Sequence, residues 1–242
     1  MMKAKSLNNI PFPINNRLLT ALPDEEFQRL APHFEPVSLT FGEILYHSSE
    51  RVRYVYFLNQ EALASLTVTM EDGKSVEANV IGSEGMVGIQ AFLRAESTPN
   101  RVVVEVAGSA LRLHANLLRD EFNRGGTLQH LLLRYTHARF TEVSQVAACN
   151  HLHSVRQRLS RWLLVRHDRV RINDLPVTQE LISRRLGAHR SSIAEAVSFF
   201  RQKGLIRYLR GKITLEDTSR LKGMTCECYD IVTEEFQRAV VT

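Results

Sequence analysis

One stretch, Leu175 to Ile206 (LPVTQELISRRLGAHRSSIAEAVSFFRQKGLI), restricts the possible folds of this chain more than any other. Thr178 is a good N-cap, because its hydroxyl can accept from the free amides of the turn that follows. Ile182 and Leu186 give a first short helix its buried face, with the small Ser183 between them. Gly187 stands where two steeply crossing helices need a sharp turn in a backbone conformation costly for other residues. A second helix then buries Ile193, Val197 and Phe200 and leaves Arg190, Ser191, Ala194 and Glu195 on the opposite side. That spacing predicts a helix-turn-helix. After it, Ile206 to Tyr208 and Lys212 to Leu215 flank Leu209-Arg210-Gly211, a hairpin signal that would make a basic wing.

Such a motif binds duplex DNA with its second helix in the major groove and that helix's N-terminal residues at base edges. Arg190 can donate two hydrogen bonds to a guanine, and Glu195, one turn later, can accept from cytosine or orient Arg190. Thr178, Gln179, His189 and Ser192 are spaced for phosphate contacts that set register. Ser191 on the same helix and Lys212 on the wing complete the candidate DNA-binding set.

Charge follows the same division. The net +5 of the 242-residue chain resolves into −3 over residues 1–133, +1 over 134–150, +10 over 151–213 and −3 over 214–242. Twelve of the 14 basic residues in the third block are Arg, whose planar fork suits phosphates and guanine edges. A basic run is often only a solvated face, and an acidic protein partner is the alternative from another class. Concentration in one block beside a helix-turn-helix points to nucleic acid.

Upstream, short runs rich in Val, Tyr, Phe and Thr read as strands: Glu35–Leu39, Tyr54–Leu58, Ala62–Met70, Ser75–Ile81, Arg101–Ala107 and Ala110–His114. Glu71-Asp72-Gly73-Lys74 is a hairpin signal, and Asp24 to Ala31 reads as a short helix. Six strands at this spacing predict a jelly roll. From Thr127 to Asn150 there is no Gly or Pro, and Leu133, Thr136, Phe140, Val143 and Ala147 recur at steps of three and four. A helix of about 24 residues is about 36 Å long, more than a small roll covers, so this stripe is expected to pair with a second copy rather than with its own sheet. Helices are also expected over His153–His167 and Leu221–Arg238.

The order of these parts resembles the Crp/Fnr superfamily of bacterial transcription regulators, and the resemblance spans residues 17 to 215. Specific echoes are Gly42-Glu43-Ile44-Leu45-Tyr46, Ile81 to Gly88 (IGSEGMVG), Cys149-Asn150-His151 and Arg158 to Leu164 (RLSRWLL). It implies an α+β chain with an N-terminal double-stranded β-helix (jelly roll) sensor over 17–122, a dimerisation helix over 123–150 and a winged helix-turn-helix over 151–216; residues 217–242 are read as a helical tail. It further implies a cytoplasmic homodimer that binds a near-palindromic operator in double-stranded DNA and contacts RNA polymerase. Cyclic-nucleotide binders of this family carry a Glu for the ribose and an adjacent Arg and hydroxyl for the phosphate. Those places align here with Ile89, Asn100 and Arg101, followed by Val102. Arg101 remains able to reach an anion, but the ribose carboxylate is missing, so a cyclic nucleotide is not the expected effector.

No Cys precedes Cys149, so the iron-sulfur cluster of one subgroup is not expected either. Cys149, His151 and His153 lie close in sequence, yet a metal needs three or four convergent ligands, and they are expected to pack a hinge. Cys226 and Cys228 would point apart at i and i+2 on a helix, and they too are read as structural, with no metal site. No apolar run approaches the roughly 20 residues of a membrane span, and Met1 to Asn16 lacks a signal-peptide core. A cupin metal site, a nucleophile elbow and a phosphate-binding Gly-rich loop are all missing, so no enzymatic activity is expected.

Overall fold

The computed structural model describes residues 12–240. Most of the segment read for a signal peptide therefore lies outside the described residues. Asn16 caps α1 (Arg17–Ala21) by accepting from the amides of Leu18 and Leu19. Its own side-chain amide donates to the carbonyls of Leu58 (2.9 Å) and Gly85 (2.7 Å), which ties the helix to the sheets. After α2 (Asp24–Leu30) come eight strands: β1 (Glu35–Leu39), β2 (Ile44–Tyr46), β3 (Tyr54–Leu58), β4 (Leu63–Thr69), β5 (Ser75–Ile81), β6 (Met86–Val87), β7 (Arg101–Val106) and β8 (Gly108–His114). They form two antiparallel four-stranded sheets, in orders β1-β8-β3-β6 and β2-β7-β4-β5. The double-stranded roll is as expected, with two strands more than the sequence signals, and Phe34, Phe57, Met86 and Leu111 lie at its centre.

α3 (Ala115–Asn123) leads to Gly125 and Gly126, both at positive φ, where the chain turns into α4 (Thr127–Leu152). The Glu26 carboxylate accepts from the first two amides of α4 at 2.9 and 2.7 Å, so α2 caps the long helix. One face of α4 is buried on the roll through Leu128, Leu131, Leu132, Tyr135 and Ala138. His153 takes extended backbone at the helix end, and a Ser154–Gln157 capping box starts α5 (Val155–Val170), two residues later than expected.

β9 (Asp174–Leu175), α6 (Gln179–Leu186), α7 (Arg190–Gln202), β10 (Ile206–Leu209) and β11 (Lys212–Leu215) follow, with strand order β10-β11-β9. The single C-terminal helix expected over Leu221–Arg238 is broken into α8 (Thr218–Lys222) and α9 (Cys228–Ala239), with Gly223 to Glu227 as the turn between. α9 returns to α4, and Val232, Phe236 and Ala239 join the core of the roll.

The basic block is not one exposed face. Arg158, Arg161, Arg166 and Arg169 on α5 are buried, and Arg185 on α6 is half-buried. Arg166 pairs with Glu77 and, at 3.1 Å, with Glu105, while stacking over the Trp162 ring. Arg185 reaches the same two carboxylates and donates to Thr67 Oγ1 at 3.2 Å. Arg169 pairs with Glu84 at 3.0 Å and Glu142 at 2.6 Å. Arg166, Arg169 and Arg185 find carboxylate partners in Glu77, Glu84 and Glu105 of the roll and Glu142 of α4, as a buried cation requires. Part of the opposite charge of the two halves therefore lies in the contact between them.

The carboxylates in this contact respond differently. Burial pushes Glu77 up, reinforced by Glu105 and only partly opposed by Arg166 and Arg185. Burial would also raise Glu142 and Glu105, but Arg169 and Arg139 hold the first, and Arg166 and Arg185 the second, below the usual carboxylate range.

Candidate nucleic-acid interface

α6 and α7 form the helix-turn-helix from the residues that predict it. The Thr178 hydroxyl accepts from the Leu181 amide at 3.1 Å, and Gly187 adopts the left-handed conformation (φ 57°) that ends α6. Ser183 Oγ donates to the Ala188 carbonyl at 2.6 Å and fastens the turn. Ile182 and Leu186 from α6 and Ile193, Ala196, Val197 and Phe200 from α7 are buried against Leu159 and Leu163 of α5. β10 and β11 make the wing, and the turn is the two-residue Arg210-Gly211, both at positive φ, so Leu209 belongs to the strand.

His189, Arg190, Ser191 and Glu195 are exposed at the start of α7, with Ser192 half-buried beside them. Thr178 is exposed and Gln179 half-buried at the start of α6. Arg190 does not pair with Glu195. Its Nη2 lies 2.7 Å from Glu180 Oε1, so the acid that orients it comes from α6. Lys212 is exposed on the wing and pairs with Asp174 at 2.8 Å. Nine of the 14 basic residues in the block, Arg190, Arg201, Lys203 and Lys212 among them, remain exposed, enough to keep this domain's surface electropositive.

The residues aligned with a nucleotide site divide. Ile89 and Asn100 line a cavity of about 260 Å³ in the roll, whereas Arg101 is exposed at the start of β7 and does not line it. The walls are mainly apolar, with Leu66, Ile81, Val87 and Val102. Asn79, Thr98, Tyr135 and Arg139 are among its polar groups, and Tyr135 is held by the backbone of Met86. α4 closes one side with Phe140 and Val143. These two also lie on the stripe expected to pair with a second copy, and Leu133, Phe140 and Val143 are 47%, 71% and 51% exposed. Ala147 is exposed and Thr136 half-buried on the same face.

At the end of α4, Cys149 and His153 meet Cys226 and Cys228, while His151 points to solvent. The geometry expected to separate the last two cysteines fails because Cys226 lies in the turn before α9. Sequence reasoning also missed Glu180 and Arg185, whose partners come from other elements.

The structure thus joins a β-roll through a long helix to a winged helix-turn-helix. Comparison with known proteins narrows this. Residues 157–224 match the Crp-like helix-turn-helix domain. A protein from Eubacterium rectale described as a putative transcriptional regulator of the Crp/Fnr family superposes with a TM-score of 0.66 at 18% identity, covering 86% of this chain and 96% of that one. FixK2 from Bradyrhizobium japonicum gives 0.67 at 14% identity, covering 80% and 98%. A protein from Silicibacter pomeroyi described as a putative cAMP-binding regulatory protein gives 0.62 at 17%, covering 87% and 95%. No curated protein sequence matches the chain. The chain thus has the Crp/Fnr regulator fold with a Crp-like helix-turn-helix DNA-binding domain. Among the described residues no helix is long and apolar enough to cross a membrane.

Proposed function

We propose that this chain is a cytoplasmic, non-enzymatic transcription regulator that binds a near-palindromic operator as a homodimer. Two copies join along the α4 stripe of Leu133, Thr136, Phe140, Val143 and Ala147, and each presents α7 to one major groove, with half-sites about 34 Å apart. RNA polymerase is a partner by resemblance to the family. The observation that carries this function is the face of α7, where Arg190 is exposed at the helix start on a buried scaffold. Arg190 and Glu195 read base edges, while Thr178, Gln179, His189, Ser191, Ser192 and Lys212 hold the backbone.

The β-roll cavity holds the effector. Its apolar walls and the lack of a ribose-binding acid at Ile89 suit a small, mostly apolar molecule better than a cyclic nucleotide. Occupancy reaches the DNA-binding domain by a short route. Arg139 lines the cavity and pairs with Glu142 (3.0 Å), and Glu142 pairs with Arg169 on α5. Phe140 and Val143 link the same cavity to the second copy.

Selection of binding sites from random duplex, followed by titration of the selected site, tests this function. Arg190→Ala is expected to cost about 1–3 kcal/mol at the selected site and to flatten base preference at one position. An equal loss on random duplex would make Arg190 a phosphate contact, and failure to select a palindrome would remove the operator.

A further inference from the structure

The joint between α4 and α5 gathers all three cysteines of the chain, buried and without a disulfide. Cys149 lies in the last turn of α4, His153 at its C-cap, Cys226 in the turn before α9 and Cys228 at the first residue of α9. Their three sulfurs and one ring nitrogen all lie within 4.8 Å of one another. Cys149 Sγ is 3.6 Å from Cys226 Sγ, and Cys228 Sγ is 3.7 Å from His153 Nδ1. Around a tetrahedral ion with bonds of about 2.3 Å to sulfur and about 2.0 Å to nitrogen, ligand atoms sit about 3.5–3.8 Å apart. We propose that Cys149, His153, Cys226 and Cys228 form a mononuclear Cys3His site for a thiophilic divalent cation, zinc being the ion whose chemistry fits it.

The surroundings support this. The other ring nitrogen of His153, Nε2, lies 3.4 Å from Glu227 Oε2. A carboxylate in that position is the usual outer partner of a metal-bound histidine, and it can accept from Nε2 while Nδ1 faces the sulfurs. Three thiolates, a neutral imidazole and a divalent ion carry a net charge of −1. Arg158 lies within electrostatic reach of Cys149, and its buried Nε has no acceptor among the described residues, so a compensating cation is at hand. His153 is half-buried while the sulfurs are covered, so the imidazole side gives the ion its way in.

Two other occupants fit less well. An iron-sulfur cluster puts several irons and sulfides between its thiolates, and four ligand atoms within 4.8 Å leave no room for them. A Cys149–Cys226 disulfide needs sulfurs about 2.05 Å apart and an oxidant, and it would leave Cys228 and His153 facing each other without purpose. A metal ion uses all four residues. It would clip the start of α9 to the end of α4, where the orientation of the DNA-binding domain is set.

The test uses the full chain without a histidine tag, purified under reducing conditions. Elemental analysis is expected to find about one zinc per chain, released by a mercurial in step with thiol modification. Exchange with cobalt(II) is expected to give the visible bands of a tetrahedral ion with a thiolate charge-transfer band. Cys149→Ser, Cys226→Ser, Cys228→Ser and His153→Ala each lose the stoichiometric metal, His151→Ala keeps it, and Glu227→Gln weakens it by about 10–100-fold. The cobalt spectrum is read on the unaltered chain, so a variant that fails to fold does not decide the matter. Metal below a tenth of an equivalent with three freely titrating thiols, a Cys149–Cys226 disulfide in protein handled without oxygen, or an octahedral cobalt spectrum would each overturn the site.

Discussion

Arg169→Met probes the contact between the two halves of the chain at its most buried point. The Arg169 side chain is 6% exposed, and its partners Glu84 and Glu142 are 6% and 2% exposed. Its guanidinium also donates to the Val80 carbonyl. After its removal Val80 O keeps Arg139 (2.9 Å), and Glu142 keeps Arg139 (3.0 Å) and the Asn79 amide (2.8 Å). Glu84 keeps only the Gly82 amide, at 3.0 and 3.2 Å. One carboxylate is thus stranded rather than two. Breaking one buried pair costs about 3–5 kcal/mol, and Met fills most of the arginine stem, so little cavity cost is added. For a chain of this size that lowers Tm by about 6–20 °C. Urea and thermal unfolding of Arg169→Met, Glu84→Gln and the double variant measure the coupling. The double variant is expected to recover about 2–3 kcal/mol, because no stranded charge remains. A single variant costing under about 1 kcal/mol, or strict additivity, would refute the account of Arg169 as the cation that neutralises Glu84.

Phe140→Glu with Val143→Glu is expected to give a monomer by sedimentation that keeps its secondary structure by circular dichroism, because both side chains are exposed in one copy; an unchanged dimer would place the interface elsewhere. Stability against pH follows from the shifted carboxylates. Glu105 and Glu142, held low, stabilise the fold above about pH 4.3 and lose that contribution as pH falls through their folded values. Glu77, pushed up, has the opposite sign: it opposes folding at neutral pH, and this cost is relieved as it protonates on the way down. Urea unfolding is expected to show a flat or slightly rising stability from pH 7 to about 4.5 and a steep loss below. Glu77→Gln should remove any rise and keep the acid limb, and a steady fall from pH 7 would contradict the assignment.

What the sequence made legible was local. Thr178, Gly187 and the Ile182–Leu186 and Ile193–Phe200 spacings act within one or two turns, and they define the helix-turn-helix without outside help. β2 and β6, three and two residues long, have no periodicity to detect and exist only because neighbouring strands pair with them. IGSEGMVG is visible as a motif, but its cause is distant. A Cβ on Gly82 would come within 2.7 Å of Arg169 Cβ, and one on Gly85 would overlap the Tyr135 ring, so α5 and α4 close on this turn because Gly82 and Gly85 have no side chains. Cys226 and Cys228, expected to point apart on one helix, converge for a similarly distant reason. Cys149 and Cys226 are 77 residues apart in sequence, and the break that turns Cys226 inward comes from packing of α8 and α9 on different helices.

The arginines of α5 and α6 bear on how such a chain can change over evolution. A DNA-reading domain is easily imagined as a module to be moved from one sensor to another. Here Arg166 and Arg185 end on Glu77 and Glu105, and Arg169 on Glu84 and Glu142. Grafting residues 151–213 onto a roll without those acids would leave three guanidiniums free to seek phosphates indiscriminately. Moving this domain to another sensor would therefore mean moving Glu77, Glu84, Glu105 and Glu142 with it.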